Sequence, residues 1–413
     1  MQLKLTLLLL AGFLFSHAQQ PVEKKGEEIL IQKLNSLLES QVKNNLIPGA
    51  VILVKKDNQV LYEKAYGYAR IYDRKHAALE IPEPMTTETL FDIASLTKIV
   101  GTTTTICWLA DQQLLSVDDA VGKFIPAFNS PEKKNITIRH LLTHTSGLLE
   151  WYPLYYRASN KKQTYALIAE LPLKDSIGRQ RKYSDLGFVI LGQIIETISG
   201  KPLDVFEREK IFIPLGMLHT TYNPLSSAKF SKFAATSFGN PYEKRMVYDS
   251  SLGFKRKEII PDSWHGWRSY VLSGEVNDGN AWYANGGISG AAGLFSTVED
   301  LQKLADLWKN EGEVNGQTFI SKKTISEFLH KDAFGNGLGW MMDPANSFMK
   351  NAPEGTFGHT GFTGTSIVVV PSKNLSVILL VNRQHTGLNA KGEYYNLGPL
   401  REQIFMTVMQ PVK

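Results

Sequence analysis

The chain has a single cysteine, Cys107, in 413 residues, so no intramolecular disulfide can form and the fold must be held by packing and hydrogen bonding. Cys107 lies in the apolar and threonine-rich stretch IVGTTTTICWLA with no histidine or asparagine beside it in sequence, and it reads as a small buried side chain, not a nucleophilic thiol. Charge of one sign is also missing. The 45 basic and 40 acidic side chains are dispersed along the chain, and a net charge of +5 builds none of the concentrated basic patches that nucleic acid or an anionic membrane requires. No nucleic-acid partner is expected. Long apolar runs are scarce: the one from Leu5 to Phe15 falls short of the roughly 20 residues that a spanning helix needs. It follows Lys4 and precedes Ser16-His17-Ala18, a small-x-small cleavage pattern, so residues 1–18 read as an export signal and the mature protein as periplasmic or secreted, without a membrane span. No cysteine follows this leader to carry a lipid anchor, and there is no internal repeat or low-complexity tract.

With 43% hydrophobic residues the chain can bury a sizeable core. From Gly26 to Asn44, apolar residues at Ile29, Leu30, Leu34, Leu37 and Leu38 have helical spacing. Two β-rich runs, Ala50 to Lys55 and Val60 to Tyr68, flank the turn pair Asp57-Asn58 and read as a hairpin. The segment from Ser95 to about Leu115 and several short segments up to Ile211 read as helices joined by Pro/Gly turns. Residues from about Thr236 to Asn285 are rich in Gly, Ser, Trp and Tyr and aperiodic, which suggests functional loops at a rim or lid. Ser296-Thr297-Val298-Glu299 has the form of a capping box ahead of Leu301 to Trp308, and Ser366 to Pro371 with Leu375 to Val381 forms a second hairpin. Strands at both ends around a helical middle imply one sheet built from the two ends of the chain.

The stretch FDIASLTKIVGT places Ser95 and Lys98 three residues apart, on one face of a helix and roughly 5–6 Å apart at Cβ. A serine hydroxyl is a poor nucleophile until a base takes its proton, and a desolvated lysine can lose its own proton near neutral pH, so Ser95 is the candidate nucleophile and Lys98 its base. The spacing alone recurs by chance in a chain of this size. Other clusters carry less. His140 and His144 in RHLLTH share the i,i+4 spacing of metal ligands but have no acidic residue between them and no third ligand in sight. Asp118 and Asp119 read as helix N-terminal charge. Trp151, Tyr152, Tyr155 and Tyr156 form an aromatic cluster that suits either a core or a binding wall.

Two later segments give the Ser-x-x-Lys pair its meaning: Lys182-Tyr183-Ser184-Asp185, ahead of a helix, and Gly358-His359-Thr360-Gly361-Phe362, ahead of the terminal hairpin. In this order they resemble the SxxK, YxN and KTG or HTG elements of the penicillin-binding and class C β-lactamase superfamily. The likeness extends through ITIRHLLTHTSGL and spans about Ile47 to Asn382. It implies that Ser95 is acylated, that Lys98 and Tyr183 shuttle the proton, and that the backbone N–H groups of Ser95 and Phe362 form an oxyanion hole. His359 and Thr360 would line the strand edge beside the substrate, with Gly361 allowing close approach, and the side chain of Phe362 would not be diagnostic. Asp185 stands where the family carries Asn and could hold Lys98 protonated. His359 stands in place of Lys and removes a permanent cation that would attract a substrate carboxylate. GEVNDGNAWYANGGISGAAGLFS resembles a segment of a subset of these hydrolases, in which Asp278, Asn280 and Gly286 to Gly290 would shape the cleft or serve turns.

The expected fold is α/β (α+β), an antiparallel sheet flanked by helices with an inserted mainly helical region. Residues 27–105 and 286–413 would form the sheet domain, and residues 106–285 the mainly helical domain. The expected activity is hydrolysis of an ester, D-amino-acid peptide or β-lactam through an acyl-enzyme, without cofactor or metal. Esterase or peptidase-like action is favoured over a class C-type β-lactamase or D-alanyl-D-alanine carboxypeptidase. A non-catalytic protein that binds cell-wall fragments is the reading from a different class.

Overall fold

A computed structural model describes residues 26–410; the leader expected at residues 1–18 lies outside them. Helix α1 (residues 26–43) leads into strands β1 (Gly49–Lys56), β2 (Gln59–Tyr72) and β3 (Ala78–Pro84). The two-residue turn between β1 and β2 is Asp57-Asn58, both at positive φ (48° and 63°), the conformation whose twist matches a tight hairpin. Strands β4 (Phe91–Asp92), β5 (Thr221–Tyr222) and β6 (Leu294–Ser296) form a small sheet in the order β4-β6-β5. Between them run α2 (Thr104–Asp111), α3 (Ile138–Leu142), α4 (Lys161–Glu170), α5 (Asp185–Ser199), α6 (Leu203–Glu207) and α7 (Pro241–Tyr248). After α8 (Val298–Lys309), a short hairpin of β7 (Glu313–Val314) and β8 (Gln317–Thr318) and α9 (Lys322–Phe328) come β9 (Phe357–Thr360), β10 (Ser366–Val370), β11 (Leu375–Val381) and α10 (Gly398–Met409).

The principal sheet is antiparallel throughout, in the order β3-β2-β1-β11-β10-β9. Its two central strands come from opposite ends of the chain, in a register that sets Ala50 opposite Val381. Strand alternation divides their side chains between two cores. Ala50, Ile52 and Val54 join Leu34, Leu38, Ile404 and Phe405 from α1 and α10 on one face. Val51 and Leu53 join Leu301 and Leu304 of α8 and the large core of the helical region on the other. Both faces are therefore covered, and β11 is buried along its whole length. The expected antiparallel sheet, flanked by helices and built from both ends, is what the structure has.

Two local expectations need correction. The segment after Ser95 is not a single α-helix: it begins as a 3₁₀ turn at Ala94–Leu96, widens into a π-helical stretch at Lys98–Thr103, and becomes regular only at α2. The wider turn accommodates Gly101 against the carboxylate of Glu207, where a Cβ would lie 2.4 Å from Oε2. At α8 the cap is Thr297, whose hydroxyl accepts from the N–H of Asp300, one residue later than a box starting at Ser296. The hydroxyl of Ser296 is instead hydrogen-bonded with that of Thr220.

Glu207 is wholly buried; one carboxyl oxygen accepts from Tyr222 and the other has no partner among the described residues. Burial outweighs the Tyr222 bond and moves its pKa from 4.5 to about 8. Between those values the unfolded chain releases this proton while the folded chain keeps it, so stability falls as pH rises, with a slope reaching about 1.4 kcal/mol per pH unit. Glu207→Gln should flatten that decline between pH 5 and 8 and raise the melting temperature more at pH 8 than at pH 5, as measured by calorimetry across that range.

Candidate active site

Ser95 projects from a strained turn. Ala94, immediately before it, has φ of 45°, a left-handed conformation unusual for a residue with a Cβ, and its N–H donates to Asp92 Oδ1 at 2.8 Å. Asp92 is buried, and its other carboxylate oxygen accepts from the N–H of Asn277 at 2.6 Å, tying the long 236–285 segment to the Ser95 turn. Burial moves its pKa up to about 6 against these two backbone bonds. From the opposite side, Thr363 and Thr365 donate hydroxyl bonds to the carbonyls of Asp92 and Ile93, at 2.7 and 3.1 Å, fastening the β9–β10 turn to the same turn. The backbone N–H groups of Ser95 and Phe362 make no hydrogen bond among the described residues and remain available as donors.

Lys98 is fully buried beneath Ser95. Its ammonium donates to Ser95 Oγ at 3.0 Å and to the carbonyl of Ala291 at 2.9 Å, and pairs with Asp185 Oδ1 at 2.7 Å. It also lies 5.1 Å from the centroid of the Tyr183 ring, whose hydroxyl faces both Ser95 and Lys98. Burial alone would favour the neutral amine, but the charges of Asp185 and Tyr183 outweigh it and raise the Lys98 pKa. The pairing with Asp185 thus works against the deprotonation that burial favours. Tyr183 is likewise raised above the ordinary phenol value, by burial first and by Asp185, against the opposing effect of Lys98.

The Tyr183 loop is held by the HTSGL segment. His144, at φ of 59°, accepts the Ser184 N–H on Nδ1 at 3.0 Å, its carbonyl accepts from Lys182 N at 2.9 Å, and its ring stacks 4.4 Å from that of Tyr183. Ser184 caps α5, which opens with Asp185, so the anion beside Lys98 sits on a helix N-terminus. His140 acts elsewhere, its Nδ1 accepting the N–H of Thr137 in the capping of α3. Desolvation depresses the pKa of both histidines. His359, on β9, is also buried, with Nδ1 against the carbonyl of Thr360 at 2.8 Å; desolvation and then the Lys98 charge lower its pKa to about 3, so it is a neutral imidazole.

A cavity of about 290 Å³ opens over Ser95 and is lined also by Tyr183, Asp185, Glu243, Asp278 and Phe362. The structure brings Ser95, Lys98, Tyr183, Asp185 and the backbone of Phe362 together. His359 lies behind Tyr183, with ring centroids 6.0 Å apart, and is not in the cavity wall. Gly361 packs where a Cβ would meet Thr365 Oγ1 at 2.2 Å and the Ile93 carbonyl at 2.4 Å, so its smallness serves the junction with the Ser95 turn. The exposed Phe362 ring is itself a wall, packed 5.3 Å from Tyr242 and 5.9 Å from Tyr394. Of the early aromatic cluster only Trp151 reaches the cavity; Tyr152 is core, and Tyr155 stacks with Trp264 at 4.6 Å. Asp278 lines the cavity, whereas Asn280 orients backbone, accepting from Leu154 N and donating to the Tyr152 carbonyl. Sequence reasoning misses Asp92, Ala291 and Glu243. Asp92 lies three residues before Ser95 inside the diagnostic stretch, and Ala291 follows Gly290 inside the GEVNDGNAWYANGGISGAAGLFS segment, but Glu243 carries no local signal.

The chain as a whole falls in a known family. The family model described as Beta-lactamase matches residues 34–398, and the chain belongs to that family of serine hydrolases. An N-acetylmuramyl-L-alanine amidase of Bacillus subtilis (strain 168) is 32% identical over 376 residues, covering 86% of this chain and 81% of the relative. A protein of Escherichia coli (strain K12) described provisionally as a D-alanyl-D-alanine carboxypeptidase is 33% identical over 361 residues, 82% of this chain and 79% of its own. Among solved structures, EstCE1, a hydrolase with promiscuous acyltransferase activity, superposes with a TM-score of 0.67 at 21% identity, over 93% of this chain and 99% of its own, which speaks to the fold.

Gly361→Ala should lower unfolding stability by about 1–3 kcal/mol, the usual cost of overpacking a tight junction; chemical denaturation of the variant beside the parent measures it.

Proposed function

We propose that the chain is an exported serine hydrolase that forms an acyl-enzyme on Ser95 and acts on an ester or amide that carries no carboxylate beside the scissile bond. The observation that carries this reading is the position of the Lys98 ammonium, within hydrogen-bond reach of Ser95 Oγ and clamped by Asp185. In this reading the Lys98/Tyr183 pair must first lose a proton. It then accepts the proton of Ser95 as Oγ attacks the carbonyl carbon, and passes it to the leaving group as the carbonyl–leaving-group bond breaks. The N–H groups of Ser95 and Phe362 would bear the developing oxyanion, each donor worth on the order of 3–4 kcal/mol by analogy with other oxyanion holes. Water then hydrolyses the ester on Ser95.

The charge around the site supports the choice of substrate. His359 is neutral where a fixed cation would bind a carboxylate, and Asp185, Glu243 and Asp278 all line the cavity. A penicillin or a peptide ending in D-alanine would bring its carboxylate toward this acidic wall, where no lysine or arginine among the described residues stands to pair with it.

Fluorophosphonate should label Ser95 in the parent, with loss of labelling and of p-nitrophenyl ester turnover in Ser95→Ala, read by intact mass and absorbance. Penicillin should acylate far more slowly than the ester. Absence of any adduct would overturn the nucleophile and favour a non-catalytic binder of cell-wall fragments.

Because Asp185 raises the pKa of both Lys98 and Tyr183, Asp185→Asn should shift the rising limb of the acylation pH profile toward lower pH, by about 1–3 units for a neighbouring opposite charge. Pre-steady-state acylation rates between pH 5 and 10 test it; an unmoved or upward-shifted limb contradicts the role.

A further inference from the structure

The cavity over Ser95, taken with the hydrolase reading above, has a charge that selects among substrates. Among the described residues no lysine or arginine lines it, and the Lys98 ammonium beneath Ser95 is already paired with Asp185. Glu243, from α7, and Asp278, from the loop before Asn280, line the same space. Each has one backbone partner: Glu243 Oε2 accepts from Gly279 N at 2.8 Å, and Asp278 Oδ1 accepts from Ala281 N at 2.7 Å. The other oxygen of Glu243, Oε1, is closed off from solvent and faces the Tyr155 hydroxyl. Carboxyl groups drawn together in a cavity without a cation gain from a ligand that donates hydrogen bonds to them.

The Arg268 guanidinium does not fill this role. It donates to the carbonyls of Val276 and Asn277, at 2.7 and 3.2 Å, and to Asn240 Oδ1 at 3.1 Å. Burial and then repulsion from Asp278 raise the pKa of Glu243 to about 8, and burial and then Asp185 raise that of Asp278 to about 6, against the opposing charge of Arg268. Around them stand Trp151, Tyr242 and Phe254, aromatic side chains of the kind that favour a cation over an anion, and Tyr394, whose ring already has the Arg383 guanidinium 5.9 Å from its centroid.

We propose that Glu243 and Asp278 form a subsite for a protonated amino group, so that the preferred substrates are esters or amides bearing a primary amine, held among the aromatic walls with its charge against these two carboxyls. Glu243 and Asp278 are thus specificity-determining residues, apart from the group that is acylated.

The test uses calorimetric binding to the full chain carrying Ser95→Ala, with benzylamine and benzoate as probes, so that no turnover is needed. Benzylamine should bind saturably and about tenfold or more tightly than benzoate. Adding Glu243→Gln, or separately Asp278→Asn, should weaken benzylamine about fivefold or more while leaving an oxygen to accept from Gly279 or Ala281; circular dichroism checks that each variant folds. Absence of saturable benzylamine binding, benzoate binding as tightly, or an amine preference that survives both variants overturns the proposal. Fluorophosphonate labelling of Ser95 in the parent reads the hydrolase assignment separately, so failure of one is not failure of the other.

Discussion

The site depends on one buried ammonium. Lys98 lies out of contact with water, and removing such a charge from solvent costs several kcal/mol unless partners replace its hydration. Here three oxygens do so, from Ser95, the Ala291 carbonyl and Asp185, contributed by three separate parts of the chain. Loss of any one leaves the charge under-satisfied. The surrounding architecture can be understood as the means of keeping those three oxygens in place.

Each oxygen has its own support. The Ser95 turn is clamped between Asp92, which reaches the 236–285 segment, and the threonines of the β9–β10 turn. Asp185 is set by the N-terminus of α5 and by His144, which fixes the preceding loop through the Ser184 N–H. Ala291 follows Gly290, where a Cβ would lie 2.3 Å from the Phe188 carbonyl, and Thr102 donates to the Gly290 carbonyl at 2.7 Å. Neutral histidines suit this arrangement, because additional positive charge near Lys98 would oppose it.

The pairing of Lys98 with Asp185 also bears on chemistry. A lysine that serves as base must be able to release its proton, and an anion at 2.7 Å resists that release. Hydrogen bonds to Tyr183 and Ser95 make the titration a property of the group as a whole. The same anion adds to the negative field of the cavity, which Asp278 also lines. Proton transfer and substrate charge are thus coupled through one carboxylate.

Much of this is legible in the amino-acid order. The β-rich runs at 50–55 and 375–381, the Asp57-Asn58 turn and the helical spacing from Leu30 to Leu38 are local patterns, and each corresponds to an observed element. Ser95, Lys98, Tyr183, Asp185 and Phe362 stand out because short motifs preserve them. What lies beyond sequence is decided by contacts between distant segments. The π-helical turn after Ser95 reflects packing of Gly101 on Glu207, which lies more than a hundred residues away, and no local propensity encodes it. The protonation of Lys98 does not follow from its identity, because burial and pairing push in opposite directions and the contacts with Asp185 and Tyr183 weigh against burial. The motif around His359 suggests a cleft residue, but its imidazole is buried, 6.0 Å from the ring of Tyr183. Glu243, with no motif around it, is carried into the cavity by the fold. Sequence determined which residues could react and which segments would become strands and helices; tertiary structure decided their charge states and neighbours, because both depend on atoms that meet only when the chain is folded.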